Sequence, residues 1–223
     1  MQYLVAGLSH DMGAPLRAVV QFAQLLVEQP NNNFDEEELK CLKLIQQNGE
    51  KAQAMLGALR RFSRLNRDNE EETSLSLRLL LDDVLAQKAA TIEATAARIE
   101  IVCDVPAILG DSNYWNLFFE CLIDNALLFQ KKTGDQAPII NIEAKRFNGF
   151  LQICVEDNGI GVSDSNWALI SAPFKRLNHA KDYPGFGMGL AFCERIANIH
   201  GGTLRFSHSE LGGLAVTFQE SAH

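Results

Sequence analysis

The chain has no surplus of positive charge: 20 Lys and Arg face 28 Asp and Glu, a formal net charge of −8. With no phosphate-neutralising face on offer, nucleic acid is not expected as a partner. Its five cysteines, Cys41, Cys103, Cys121, Cys154 and Cys193, are scattered, odd in number and never in C-x-x-C spacing. That pattern offers neither a disulfide framework nor a zinc site, and it fits reduced thiols in a cytoplasmic compartment. No apolar run approaches the ~20 residues of a membrane span. No basic segment opens a signal peptide. A strand running into G-x-G-x-x-G early in a βαβ repeat is also missing, which excludes a Rossmann unit. What is present is a 223-residue chain, 47% hydrophobic and 22% charged, in keeping with one large soluble domain or two modest ones. It begins inside helical sequence, as a fragment would, in which case a sensor or membrane anchor could lie upstream.

Two helices come first. Val5, Leu8, Met12, Pro15, Val19, Phe22 and Leu26 step by three and four, a seam of the kind that packs helices side by side. After Pro30-Asn31-Asn32-Asn33, the acids Asp35-Glu36-Glu37-Glu38 favour a helix start. A second seam follows at Leu39, Leu42, Ile45, Gly49, Ala52, Leu56, Leu59 and Phe62. Two such narrow stripes cannot close a core alone, so the hairpin is expected to dimerise into a four-helix bundle. The charged run Arg67-Asp68-Asn69-Glu70-Glu71-Glu72 marks the boundary. The expected organisation is a helical hairpin over 1–68, a linker over 69–74 and a second domain over 75–223.

In the second domain Leu75 and Leu77 suggest a short strand, and 79–96 reads as one helix. Ile99, Ile101 and Cys103 alternate as a strand, and Asp111 is placed to cap a helix carrying Trp115, Phe118, Leu122 and Phe129. Ile140, Ile142, Ala144 and Leu151, Ile153, Val155 show period two around Asn148-Gly149, a type I′ hairpin signal. A helix over 188–200 stops at Gly201-Gly202, and strands near 203–207 and 214–218 close the chain. The predicted class is α+β: a mixed, largely antiparallel sheet with helices packed on one face.

Five stretches carry chemistry. His10 lies in Ser9-His10-Asp11-Met12-Gly13-Ala14-Pro15-Leu16, at a heptad position facing away from the seam and into solvent. By itself it is ordinary surface, but Pro15 removes the N–H that would bond Asp11, an interior cost of about 3 kcal/mol that bundle helices avoid. Glu156-Asp157-Asn158-Gly159-Ile160-Gly161 follows a strand; Asp157 could accept from a base's exocyclic amine while Gly159 and Gly161 let backbone approach a ligand, although a polar turn is the plainer reading. Gly185-Phe186-Gly187-Met188-Gly189-Leu190 opens a helix, where backbone N–H groups suit a phosphate. The preceding 175–183 segment, with Lys175, Arg176 and Lys181, reads as a mobile lid. Asn125 offers the kind of carbonyl oxygen that a phosphate-bound Mg²⁺ accepts, against the alternative of a buried amide satisfied by backbone.

In this order the His10, Asn125, Asp157, Phe174 and Gly185 motifs resemble the catalytic core of a two-component sensor histidine kinase. The 173–185 stretch is most similar to the bacteriophytochrome-like branch. The resemblance covers nearly the whole chain. It implies a dimerisation and phosphoacceptor hairpin, then a Bergerat-type ATP-binding domain shared with the gyrase, Hsp90 and MutL ATPases. It implies that His10 accepts phosphate from ATP, that Asp157 contacts the adenine amine and that Asn125 binds Mg²⁺. It further implies that the segment from Phe174 through Arg176 and Gly185 to Gly189 and Leu190 covers the triphosphate. The phosphoryl group would pass to an aspartate on a response-regulator receiver. Asp11 could hold one imidazole N–H and steady the charge that develops on the ring.

Three positions depart from the family pattern. Ala14 stands where Thr or Asn is common, which predicts weak phosphatase activity. Cys121 and Leu128 replace a polar and a basic residue around Asn125, with Lys131 or Lys132 as out-of-register substitutes. Kinase activity is therefore weighed against a degenerate phosphotransfer scaffold, and against an ATPase clamp for which Glu120 is one residue out of register.

Overall fold

The computed structural model describes residues 2–28, 34–65, 73–131, 136–178 and 182–220, with backbone alone for 2–11. The chain divides into two compact units, Met1–Leu65 and Asn66–His223. The charged run at 67–72 lies outside the described residues.

The first unit is a hairpin of α1 (Gln2–Glu28) and α2 (Glu36–Arg64). Helix α1 continues through Pro15. Helix α2 begins at a full capping box: Asp35 Oδ1 accepts from the Glu37 and Glu38 amides at 2.8 Å, and Glu38 accepts from the Asp35 amide at 2.9 Å. Three acids in its first turn and Arg61 and Arg64 in its last complement the helix dipole.

The hairpin packs one residue away from the expected α1 seam. Gly13, Val20 and Ala23 are buried, with Val20 against Gly49 of α2. Met12, Pro15, Val19, Phe22 and Leu26 of that seam are exposed, together with Leu25, and on α2 Leu44 and Ile45 are exposed as well. The small residues at 13 and 23 let the two backbones approach, which leaves the larger apolar side chains on the outside of the pair.

In the second unit β1 (Thr73–Ser76) starts inside the interval read as linker and pairs antiparallel with β3 (Ala107–Gly110). Leu77, expected in a strand, instead opens α3 (Leu77–Gln87), whose N-cap Ser76 accepts from the Leu79 amide. The single helix expected over 79–96 is broken at Lys88, which ends α3 and begins α4 (Ala89–Thr95). Lys88 ties the break to Asp124 at 2.8 Å. Then come β2 (Arg98–Cys103), α5 (Ser112–Leu128), β4 (Ile139–Phe147), β5 (Phe150–Asp157), a 3-10 turn (Asp164–Leu169), α6 (Gly189–Ile199), β6 (Gly202–His208) and β7 (Leu214–Glu220).

The main sheet runs β2-β4-β5-β7-β6, with only the β2–β4 pair parallel. Asn148 and Gly149 both adopt positive φ, +52° and +87°, as a type I′ turn requires. Alternation decides the faces: Ile140, Ile142, Ala144, Leu151, Ile153 and Val155 are buried, while Asn141, Glu143, Gln152 and Cys154 lie half-covered on the other side. Helices α3, α5 and α6 cover the apolar face around Trp115, Phe118, Phe119 and Phe218. Trp115 meets Phe218 edge-on at 5.3 Å. The strand at 107–110, too short to show a period, was not foreseen.

Candidate active site

At one end of the site lies Asp157, the last residue of β5. Its Oδ1 accepts from the Gly159 amide at 2.8 Å and the Leu214 amide at 3.2 Å. These bonds fix the carboxylate, and among the described residues Oδ2 has no hydrogen-bond partner. Burial pushes the Asp157 carboxyl above its ordinary value, opposed by those two amides and by the Lys131 charge. The turn after it is pressed against α5: a Cβ on Gly159 would lie 2.4 Å from the Phe129 carbonyl, which also accepts from the Ile160 amide at 2.9 Å.

Gly213, which sequence reading passed over, completes this end. Any Cβ there would stand 2.1 Å from Asp157 Oδ1 and 2.5 Å from the Gly159 amide nitrogen. No local signal marks the Gly212-Gly213 pair, because the partner that demands it is 56 residues earlier in the chain. Gly161, at φ +64°, packs on the Gly213 carbonyl.

At the other end the first turn of α6 has no side-chain cap, because its N-cap residue is Met188. Its leading N–H groups therefore lack intrahelical partners and can bind an anion. Asn125 of α5 faces this turn: a Cβ on Gly189 would come within 3.4 Å of both Asn125 amide atoms. The Asn125 side chain is half-exposed and has no hydrogen-bond partner among the described residues, so the alternative of an amide satisfied by backbone does not hold. Leu190 lies half-buried in the same turn.

The arm leading to α6 is shaped by backbone. Gly187 has φ +69°, and a Cβ there would reach within 2.3 Å of the Lys175 carbonyl. Gly185 has φ +132° in open space, and Phe174 itself adopts φ +60°. Arg176 donates to the Tyr183 carbonyl, holding the two sides of the arm together. Lys181 lies outside the described residues.

Of the two substitutes weighed for Leu128, only Lys131 lies among the described residues. Lys131 donates to the Gly212 carbonyl at 3.3 Å, at the Asp157 end, and Lys132 lies outside the described residues. The Cys121 thiol stands beside that of Cys193 on α6, and burial pushes Cys193 well above the ordinary thiol range.

In the first unit His10 and Asp11 lie within α1, and their side chains lie outside the described residues. One turn on, Gly13 admits the Arg60 guanidinium of α2, with Nη2 3.1 Å from where a Cβ would stand. Sequence reading did not single out Arg60, since only the hairpin brings it beside this turn.

Comparison with known proteins gives two family matches. Residues 1–68 match the His Kinase A (phospho-acceptor) domain, and residues 110–220 match the histidine kinase-, DNA gyrase B- and HSP90-like ATPase. The chain belongs to the sensor histidine kinases. Relatives of this kinase core include the phytochrome-like protein Cph1 of Synechocystis sp., 29% identical over 88% of this chain. Cyanobacterial phytochrome A of Nostoc sp. is 28% identical over 92%. The chain spans about a quarter of the length of each, 26% in both cases.

Among solved structures, full-length ShkA in complex with AMPPNP superimposes with a TM-score of 0.71 at 22% identity, covering 99% of this chain and 46% of that one. The Acinetobacter baumannii histidine kinase AdeS gives a TM-score of 0.63 at 19% identity, covering 92% of this chain and 94% of that one. Both share the fold. Among the described residues no helix is long and apolar enough to cross a membrane.

Proposed function

We propose that this kinase core phosphorylates its own His10 from ATP and passes the phosphoryl group to an aspartate on a response-regulator receiver. The observation that carries the reading is the pairing across α5. An anchored, half-satisfied carboxylate at Asp157 stands at one end, and an unpartnered Asn125 amide facing an uncapped helix start stands at the other. Asp157 Oδ2 accepts from the adenine amine, and Gly159, Gly161 and Gly213 let the base approach the turn. The first turn of α6, with Gly185, Gly187, Gly189 and Leu190, takes the phosphates. Phe174 and Arg176 belong to the segment that covers them.

Asn125 fits a Mg²⁺ ion, since its half-exposed side chain has no hydrogen-bond partner among the described residues and faces the start of α6. Such an ion supplies neutralisation of phosphate charge. His10 attacks as neutral imidazole, through a ring nitrogen left free of its proton. Asp11 keeps the other ring nitrogen protonated and steadies the developing positive charge. Positioning provides the remaining rate. The exposed stripe of Met12, Val19, Phe22, Leu25 and Leu26 closes against a second copy as a four-helix bundle.

Incubating the chain with γ-labelled ATP and Mg²⁺, beside His10→Ala, tests this. Acid-labile, alkali-stable label on wild type alone is expected. ATP binding without label would overturn the kinase reading in favour of a phosphotransfer scaffold. That second reading draws on the Asn125 helix, where Cys121 and Leu128 stand in place of a polar and a basic residue and Lys131 turns to the Gly212 carbonyl.

A further inference from the structure

Residues 129–131, just past the end of α5, touch both ends of the nucleotide site. The Phe129 carbonyl accepts from the Ile160 amide at 2.9 Å and is the surface against which Gly159 is pressed. On its other side the Phe129 ring meets Tyr183, with centroids 5.2 Å apart and planes inclined at 36°. The Tyr183 hydroxyl donates to the Gln130 carbonyl at 2.9 Å. Carbonyls past a helix end lack intrahelical donors, so a phenol that supplies one holds its own segment to that end. The Tyr183 carbonyl in turn receives the Arg176 guanidinium, and Gly185 follows two residues later. One tyrosine thus joins the arm carrying the glycine motif to the same short stretch that seats the Asp157 turn.

We infer that Tyr183 is a positioning residue that clasps the glycine arm to the end of α5 and sets the spacing between the base end and the phosphate end of the site. It touches neither base nor phosphate in this role. It acts through Phe129 and Gln130 on one side and through Arg176 and the Gly185 motif on the other. The inference rests on the nucleotide-site reading above, but the clasp itself can be observed without nucleotide.

The experiment compares wild type, Tyr183→Phe and Tyr183→Ala in the full chain. Tyr183→Phe keeps the ring on Phe129 and loses the hydroxyl bond; Tyr183→Ala loses both. Without nucleotide, amide hydrogen exchange over 185–189 and at Ile160 is expected to quicken in Tyr183→Ala and to a lesser degree in Tyr183→Phe, with the sheet amides unchanged. In calorimetry the Kd for AMPPNP is expected to rise about tenfold in Tyr183→Ala and about threefold in Tyr183→Phe, with a smaller change for ADP. Unchanged exchange in Tyr183→Ala overturns the clasp. Equal weakening of AMPPNP and ADP alongside a lowered melting temperature overturns the positioning role, since that is what plain destabilisation produces. Wild type that binds neither nucleotide overturns the kinase reading and the spacing role, while the exchange comparison still judges the clasp.

Discussion

Asp157 carries opposing demands. Its carboxyl is partly buried, and the lost hydration holds its proton to higher pH than in the unfolded chain, where the value is near 3.8. Folding therefore loses stability as pH rises from that unfolded value through the raised folded one, and above the folded value the whole cost is present. Asp157→Asn keeps an oxygen for the Gly159 and Leu214 amides and removes the buried charge. The melting temperature of Asp157→Asn at pH 7 is expected to equal or exceed that of wild type, the gap closing below about pH 3.8. Calorimetric affinity for AMPPNP should fall about tenfold or more, because the carboxylate's charge-assisted acceptor is lost. A lowered melting temperature with unchanged affinity would contradict the assignment. At position 14 the exposed alanine offers no hydrogen bond to orient water. Ala14→Thr is expected to speed loss of phosphate from a phosphorylated receiver domain in the absence of ADP, while wild type barely accelerates it.

At the scale of elements, α2 depends on its entry. Asp35 and Glu38 satisfy three backbone amides between them, and nothing downstream replaces those bonds. Asp35→Ala is expected to cost about 1 kcal/mol of hairpin stability, read as a lower midpoint in urea. That cap was legible in the sequence as an acid run after Pro30, as were the caps at Asp111 and the Asn148-Gly149 turn. These are local features, decided within a few residues. The break at Lys88 was not legible, because 79–96 has unbroken helical character. At the break Lys88 pairs with Asp124, 36 residues away, a partner that no local pattern shows. The register of α1 was half legible: the stripe at Met12, Val19, Phe22 and Leu26 is real, but the hairpin buries the face of small residues beside it.

At the scale of the whole molecule, that exposed stripe is the test of assembly. Phe22 is 66% exposed and Leu25 62%, too much apolar surface for a lone hairpin to leave to water. Phe22→Asp is expected to convert a dimer to a monomer in sedimentation equilibrium while leaving the helical circular dichroism of the second unit in place. A wild type that sediments as a monomer would refute the bundle.

By itself the sequence determined a helical hairpin followed by a mixed, largely antiparallel sheet, without the strand at 107–110 or the break at Lys88, and it marked the motifs at His10, Asn125, Asp157 and Gly185 as candidates. Those depend on periodicity, caps and glycine spacing, which are written in short windows. The tertiary structure alone decided which groups meet. Gly213 matters because it folds onto Asp157, Tyr183 because it reaches Gln130, Arg60 because it enters the gap at Gly13, and Lys131 because it turns to Gly212. Each of those contacts joins residues at least 47 positions apart. Their geometry is set by packing between elements, which no local pattern encodes.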